Sequence, residues 1–470
     1  VPAPAELLDD VIDLIPEDTA RFIVDGLPKL RIAAGPLLAD RLAQTRPEDR
    51  SWTEAAIVGA LSATDKIDGA WARRIGATEH GRDLDRAGDR GFVMPQQMAL
   101  TLNGEVPPVH FQLKRFREGG MQALRWWGAR HGKDLTSRPV NKQKTAVEMT
   151  TMTAAHSPLA EHPDLVRWGT SMGTALSLTG LLETAFDYMR KDESELTDTA
   201  RNSPVRQVSA GPLGQFAGFI DRKLPGITPS DVTLWGKRLV EGAAALAIAR
   251  PDHPVVPTAI YTVGSLFDAF DGSLARAKGV DGKEGMIEDV QADLEQQIAT
   301  LAALSVVARR RGNRVAATNY AIATMMMPLS AYTRAQAESR GYIVAEGGMG
   351  TRVGRGILGG VGMALNRYQD ASDIVSAMLA SGTVNTVHER RGVARYGLES
   401  EHCRGMNKDP EFMVDAKERQ QAIERYAFLG LAVGTALLTE SNFQGARRLA
   451  SREGSKSAAD EVVLEGQNTA

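Results

Sequence analysis

Four aspartates set at helical intervals occur twice in this chain, and the repetition limits the folds open to it. The first set runs Asp65, Asp68, Gly69, Ala72, Arg73, Gly81, Asp85, Asp89, and the second Asp268, Asp271, Gly272, Ala275, Arg276, Gly285, Asp289, Asp293. The two differ by one residue, between the arginine and the second glycine. Eight specified positions at average residue frequencies coincide by chance on the order of once in 10⁹ to 10¹⁰ starting points. A duplicated unit is therefore expected, with the same architecture built twice. A chain of 470 residues exceeds one ordinary hydrophobic core, which points the same way.

Aspartates three and four residues apart project from one face of a helix, and a turn between two such helices brings the pairs together. Four carboxylates in one pocket raise each other's pKa unless divalent cations neutralise them. Oxygen-only ligands favour magnesium or manganese over zinc. Such ions hold a diphosphate, stabilise charge on the transferring oxygens and leave one carboxylate free as a base. Small residues such as Gly69 and Ala72 let a ligand or a neighbouring helix approach the backbone, and Arg73 adds a fixed cation. Gly272, Ala275 and Arg276 repeat the arrangement. A single acidic pair is more often a solvated helix face, paired here with neighbours such as Lys66, Arg82, Arg86 and Arg90; its recurrence argues against that reading.

Elsewhere the sequence reads as helical, with Ala-, Leu- and Met-rich stretches of period three to four, and strands are expected to be incidental. Residues 20–190 and 225–395 form the expected helical domains, with a charged, turn-rich linker at 191–224, a helical extension at 396–446 and a disordered tail at 447–470. A net charge of -3 gives no basic field for nucleic acid. One cysteine, Cys403, excludes an intramolecular disulfide framework and a Cys-rich zinc site, and suits a reducing cytoplasm. The acidic opening, with Glu6, Asp9 and Asp10, lacks the pattern of a secretory leader. The eight histidines lack metal-ligand spacing, and Met325, Met326 and Met327 read as core packing.

The order of these residues resembles the signature of CDP-alcohol phosphatidyltransferases, and both copies match it at every fixed position. The resemblance implies an all-α fold of two tandem six-helix bundles packed as a pseudo-dimer, with magnesium or manganese as cofactor. It implies transfer of a substituted phosphate from a CDP-alcohol, CDP-diacylglycerol among the candidates, to an acceptor hydroxyl with release of CMP. Carried over by position, Asp65, Asp68, Asp85, Asp268, Asp271 and Asp289 are metal ligands, while Asp89 and Asp293 are general bases that also touch metal. Gly69, Ala72, Arg73, Gly81, Gly272, Ala275, Arg276 and Gly285 line the cytidine diphosphate site. Around the first copy, Arg117, Arg125, Lys142 and Lys144 follow the order of phosphatidylglycerophosphate synthases. Around the second, Arg334, Arg352 and Arg355 resemble phosphatidylinositol-phosphate synthases, with Gln336 and Thr351 as departures. These cations are the implied site for the phosphate of a phosphorylated alcohol acceptor.

Hydropathy departs from that family. Two membrane bundles need about twelve spans of roughly 20 apolar residues, and this sequence offers about one, Val315 to Thr333. The stretch from Gly91 to Arg115, where the family places a span, carries Gln96, Gln97, Asn103, Glu105, His110, Gln112 and Lys114. The helices are unusually polar, so the expectation is a soluble or peripherally attached tandem relative whose halves supply an internal dimer, with an integral membrane protein as the alternative. Two other functions compete: a non-catalytic protein that keeps the nucleotide and metal pocket, and an all-helical prenyl transferase. The intact Asp89 and Asp293 weigh against the first, and the Gly-x-x-Ala-Arg context against the second.

Overall fold

The computed structural model describes residues 17–75, 79–132, 139–189, 214–215, 217–224, 226–280, 283–344, 352–396, 403–406 and 412–439. The chain divides into two units, Val1–Met189 and Arg190–Ala470. The described residues are helical apart from one two-stranded ribbon.

Among the described residues, unit one carries six α-helices: α1 Glu17–Gln44, α2 Trp52–Ile75, α3 Glu79–Leu102, α4 Pro108–Arg130, α5 Pro139–Ala155 and α6 Pro163–Met189. Several begin where the sequence supplies a start signal. The Ser51 hydroxyl caps α2 by accepting from Glu54 N at 3.2 Å. Proline opens α4, α5 and α6, where a missing N–H removes no intrahelical bond. Leu42, Val58, Phe92, Leu100, Met152 and Val166 fill one core between α1, α2, α3, α5 and α6. Burying each large side chain contributes about 1.5–3 kcal/mol.

Helix α1 packs chiefly along α3, and small residues make that possible. A Cβ on Gly35 would fall inside the carbonyl of Gly91, and one on Gly88 would lie 3.0 Å from Pro28 Cα. This close approach brings the middle of α1 to the acidic ends of α2 and α3.

Among the described residues 229–396, unit two also carries six helices: α7 Pro229–Ala249, α8 Val255–Lys278, α9 Lys283–Arg310, α10 Arg314–Glu338, α11 Arg352–Leu365 and α12 Gln369–Tyr396. Thr228 and Asp231 form a reciprocal capping box on α7. Gly279, at φ 65°, ends α8 in the left-handed region, donating to Ala275 and Arg276 carbonyls. That stop lets the chain reverse into α9. Before α7, residues 217–224 of the expected linker are described, and a short helix there packs Ala217 and Ile220 on Val232, Phe270 and Leu274. The rest of the linker through 213, and the tail at 447–470, lie outside the described residues.

The Val315–Thr333 window, read as the candidate span, is the centre of α10. Tyr320, Thr324, Met327 and Ser330 there are fully buried within the unit, chiefly against α12 and α9. Among the described residues one helix is long and apolar enough to cross a membrane, α13 at Phe412–Thr439. It lies close on α10, where Gly430 and Gly434 admit Pro328, Thr324 and Met325. Tyr426 on α13 donates to Glu295 at 2.5 Å, and Arg419 pairs with Glu338 at 3.2 Å. Strands β1 Tyr342–Val344 and β2 Cys403–Met406 pair antiparallel beside α10 and α12.

Candidate metal and phosphate site

In unit one the helix spacing does what the sequence predicts for the acidic residues. Asp65 and Asp68 on α2 meet Asp85 and Asp89 on α3. One carboxylate oxygen each from Asp65, Asp68 and Asp85 lie within 4.8 Å of one another. Asp68 forms the buried floor and Asp85 the open rim. Between them sits a residue that the sequence reading did not single out, Arg31 of α1, which is fully buried. Its guanidinium lies 2.7 Å from Asp85, 3.0 Å from Asp68, 3.7 Å from Asp89 and 3.8 Å from Asp65.

Burial and crowding raise the pKa of two of these acids, Asp85 and Asp89, despite that cation. Burial, then the charge of Asp65, pushes Asp85 above the usual carboxylate range. Burial, Asp65 and Asp85 together push Asp89 up to about 8, with Arg31 and Lys144 pulling the other way. A carboxylate of that proton affinity is suited to accept a proton from an alcohol.

Asp89 also faces a second cluster. A narrow pocket beside it is lined by Asp89, Arg90, Lys114, Glu118, Lys144 and Glu148. Lys114 and Glu148, both buried, pair at 2.9 Å; Lys144 reaches Glu148 at 3.2 Å and Glu118 at 3.6 Å. Arg90 pairs with Glu118 at 2.6 Å, and Arg117 bridges Glu118 and Asn141, each at 2.5 Å. Against its burial, Lys144, Arg117 and Arg90 hold Glu118 down at about 2. Burial followed by the charges of Arg86, Arg117 and Arg90 lowers Arg125, which places these four arginines near one another.

Of the expected acceptor cations, Arg117, Arg125 and Lys144 thus gather around Glu118, with Lys144 also acting on Asp89, while Lys142 is exposed on α5. Lys114 and Glu148 were also missed, although they lie three residues before Arg117 and four after Lys144. That spacing puts them on the same helix faces. Gly81 is half-buried on α3; Gly69, Ala72 and Arg73 lie on α2, with side chains outside the described residues.

In unit two the corresponding aspartates lie on α8 and α9. Asp271 and Asp293 are buried and Asp289 is half-buried, while the Asp268 side chain lies outside the described residues. Thr233 of α7 donates to Asp271 at 2.6 Å. Arg276 is exposed on α8 and donates to Ser273 at 3.2 Å; Gly272 and Ala275 are half-buried beside it. Arg334 pairs with Glu338 at 2.8 Å. Arg355 is buried and donates to Gln297, one helical turn after Asp293, at 2.8 Å. The side chains of Gly285 and Arg352 lie outside the described residues.

Comparison with known proteins bears on both units. The family model for CDP-alcohol phosphatidyltransferase matches residues 26–180 and 229–377. No protein of curated function and no solved structure matches the chain. The two matched segments hold both aspartate sets and all or part of the six helices named in each unit.

Proposed function

The chain belongs to the CDP-alcohol phosphatidyltransferase family, twice over along its length, and from that premise we propose that it transfers a substituted phosphate from a CDP-alcohol to the hydroxyl of a phosphorylated alcohol or polyol, releasing CMP. The observation that carries this is the position of Asp89. It stands between the acidic cluster, which suits a metal-bound diphosphate, and the Lys114, Lys144 and Arg90 pocket, which suits an acceptor phosphate.

The residues fit a magnesium or manganese ion. The donor set is all carboxylate, and one oxygen from each of Asp65, Asp68 and Asp85 lies within 4.8 Å of the others. Asp65, Asp68 and Asp85 would hold it, with Asp89 at the edge; in the second unit Asp268, Asp271, Asp289 and Asp293 take these parts. When bound, such an ion draws charge from the diphosphate oxygens and stabilises the leaving phosphate. Asp89 accepts the acceptor's hydroxyl proton, and that oxygen forms a bond to the phosphorus bearing the donor alcohol. The bond from this phosphorus to the bridging oxygen breaks, and CMP leaves with the electron pair. Lys114 and Lys144 hold the acceptor phosphate so that its hydroxyl faces Asp89, while Glu118 and Glu148 fix the lysines in place. Gly69, Ala72, Arg73 and Gly81 line the cytidine side, as do Gly272, Ala275, Arg276 and Gly285 in the second unit.

We place the reaction in the cytoplasm, free or at the membrane surface, since Gln112 and Arg115 on α4 and Lys142 on α5 face outward and are costly in hydrocarbon. A second reading is that unit two is a nucleotide and metal site without turnover. Single-site variants separate the readings. Asp89→Asn and Asp293→Asn are assayed for magnesium-dependent CMP release from a CDP-alcohol with glycerol phosphate and inositol phosphate as acceptors. Loss of all turnover in Asp89→Asn alone leaves unit two as a binding site, and partial loss in each variant gives two working sites. Full turnover in the double variant would sink the enzyme reading.

A further inference from the structure

The first acidic cluster holds a cation of its own. Arg31 comes from α1, outside the two helices that carry the aspartates, and its guanidinium reaches all four of them. Its position is fixed by packing. Gly35, one turn further along α1, seats that helix against the Gly91 carbonyl of α3, and Gly88 and Gly91 meet Pro28 and Ile32 on either side. Arg31 Nη1 also lies 3.4 Å from the Thr64 hydroxyl. A guanidinium keeps its charge throughout the accessible pH range, so displacement, and not titration, is the way to clear it from the cluster. One positive charge among four carboxylates leaves the site attractive to a divalent ion, yet the ion must take oxygens that Arg31 now holds.

Resting on the metal-dependent reading above, we propose that Arg31 is a built-in competitor for the divalent ion at the first cluster, setting the affinity at which the ion takes Asp68 and Asp85. In ion-free protein it offsets the repulsion among the acids. On ion binding it yields those oxygens, so the first site fills at a higher ion concentration than its carboxylates alone would require. In the second unit the first helix reaches the corresponding aspartate with a hydroxyl, Thr233 on Asp271.

The test is manganese binding, read by loss of the free-ion electron paramagnetic resonance signal, on full-length protein carrying Asp271→Asn to weaken the second cluster. Arg31 is compared with Arg31→Gln and Arg31→Lys, with thermal melts to establish folding. Removing a unit charge roughly 4 to 5 Å from a divalent ion changes affinity about tenfold even with water-like screening. Arg31→Gln should therefore bind manganese about tenfold more tightly or better, and Arg31→Lys, which keeps the charge on a single nitrogen, should fall between. If the Gln variant does not fold, tightening of about twofold or more in the Lys variant supports the proposal. Equal or weaker binding in the folded variant overturns it and makes Arg31 an organiser of the carboxylates. Manganese bound by neither parent nor variant overturns the metal reading as well, whereas equal binding by both overturns the competitor role alone.

Discussion

Asp89, Lys114 and His110 illustrate three ways in which burial changes a charged group. For Asp89, burial and two neighbouring carboxylates favour the protonated form, and its replacement by Asn keeps the shape while removing the base. We expect Asp89→Asn to lose at least about 100-fold in turnover at the first site, the usual scale for a general base, with manganese still bound. Lys114 is buried against Glu148, so Lys114→Met removes the closer of the two lysines that pair with this buried carboxylate and leaves Lys144 at 3.2 Å. A loss of about 3 kcal/mol is expected, the lower end for a broken buried pair. Urea unfolding measures it, and adding Glu148→Leu should recover much of the loss. His110 accepts or donates at Thr174 and is held neutral down to about 3 by burial, then by Lys114 and Arg167. Its unfolded pKa is near 6.5, so the stability it contributes is complete above 6.5 and is lost as pH falls toward 3. The slope is about 1.4 kcal/mol per pH unit. His110→Gln should remove that slope between pH 6 and 4 from the unfolding free energy, and an unchanged slope would contradict the assignment.

Helix contacts decide how much of this was legible before the fold was known. The intervals Asp65 to Asp68 and Asp85 to Asp89 are local, so the sequence alone places each pair on one face. Arg31 was not legible, because its arrival depends on how closely α1 meets α3, and that is set by Gly35 and Gly91 across 55 intervening positions. Lys114 and Glu148 were overlooked for a related reason: each looks like an ordinary surface charge until its helix is oriented. The apolar window in α10, the candidate span in the sequence, packs chiefly against α12 and α9, and length and hydropathy do not distinguish lipid from a surrounding bundle. Two glycines test these contacts. Gly35→Ala must push α1 off α3 and is expected to destabilise unit one by about 1–3 kcal/mol, seen as a lower melting temperature. Gly434→Leu should lift α13 from α10, giving faster proteolysis near residue 411 with the helical circular dichroism otherwise retained.

Taken as a whole, the molecule repeats one idea with different surroundings. Both units carry the aspartate set on consecutive helices of a six-helix bundle, and the family match covers both. The second adds α13 and ties Arg334 and Arg355 to its own side chains. The central claim is that each unit forms a divalent-ion-dependent pocket for a cytidine diphosphate group. Calorimetric titration of CDP into detergent-free full-length protein with magnesium, for the parent, Asp68→Ala and Asp271→Ala, tests it most directly. The account predicts a stoichiometry of about two that falls to about one in each variant and vanishes when magnesium is chelated. Binding that ignores both substitutions and the metal, or no binding by folded parent protein, would contradict it.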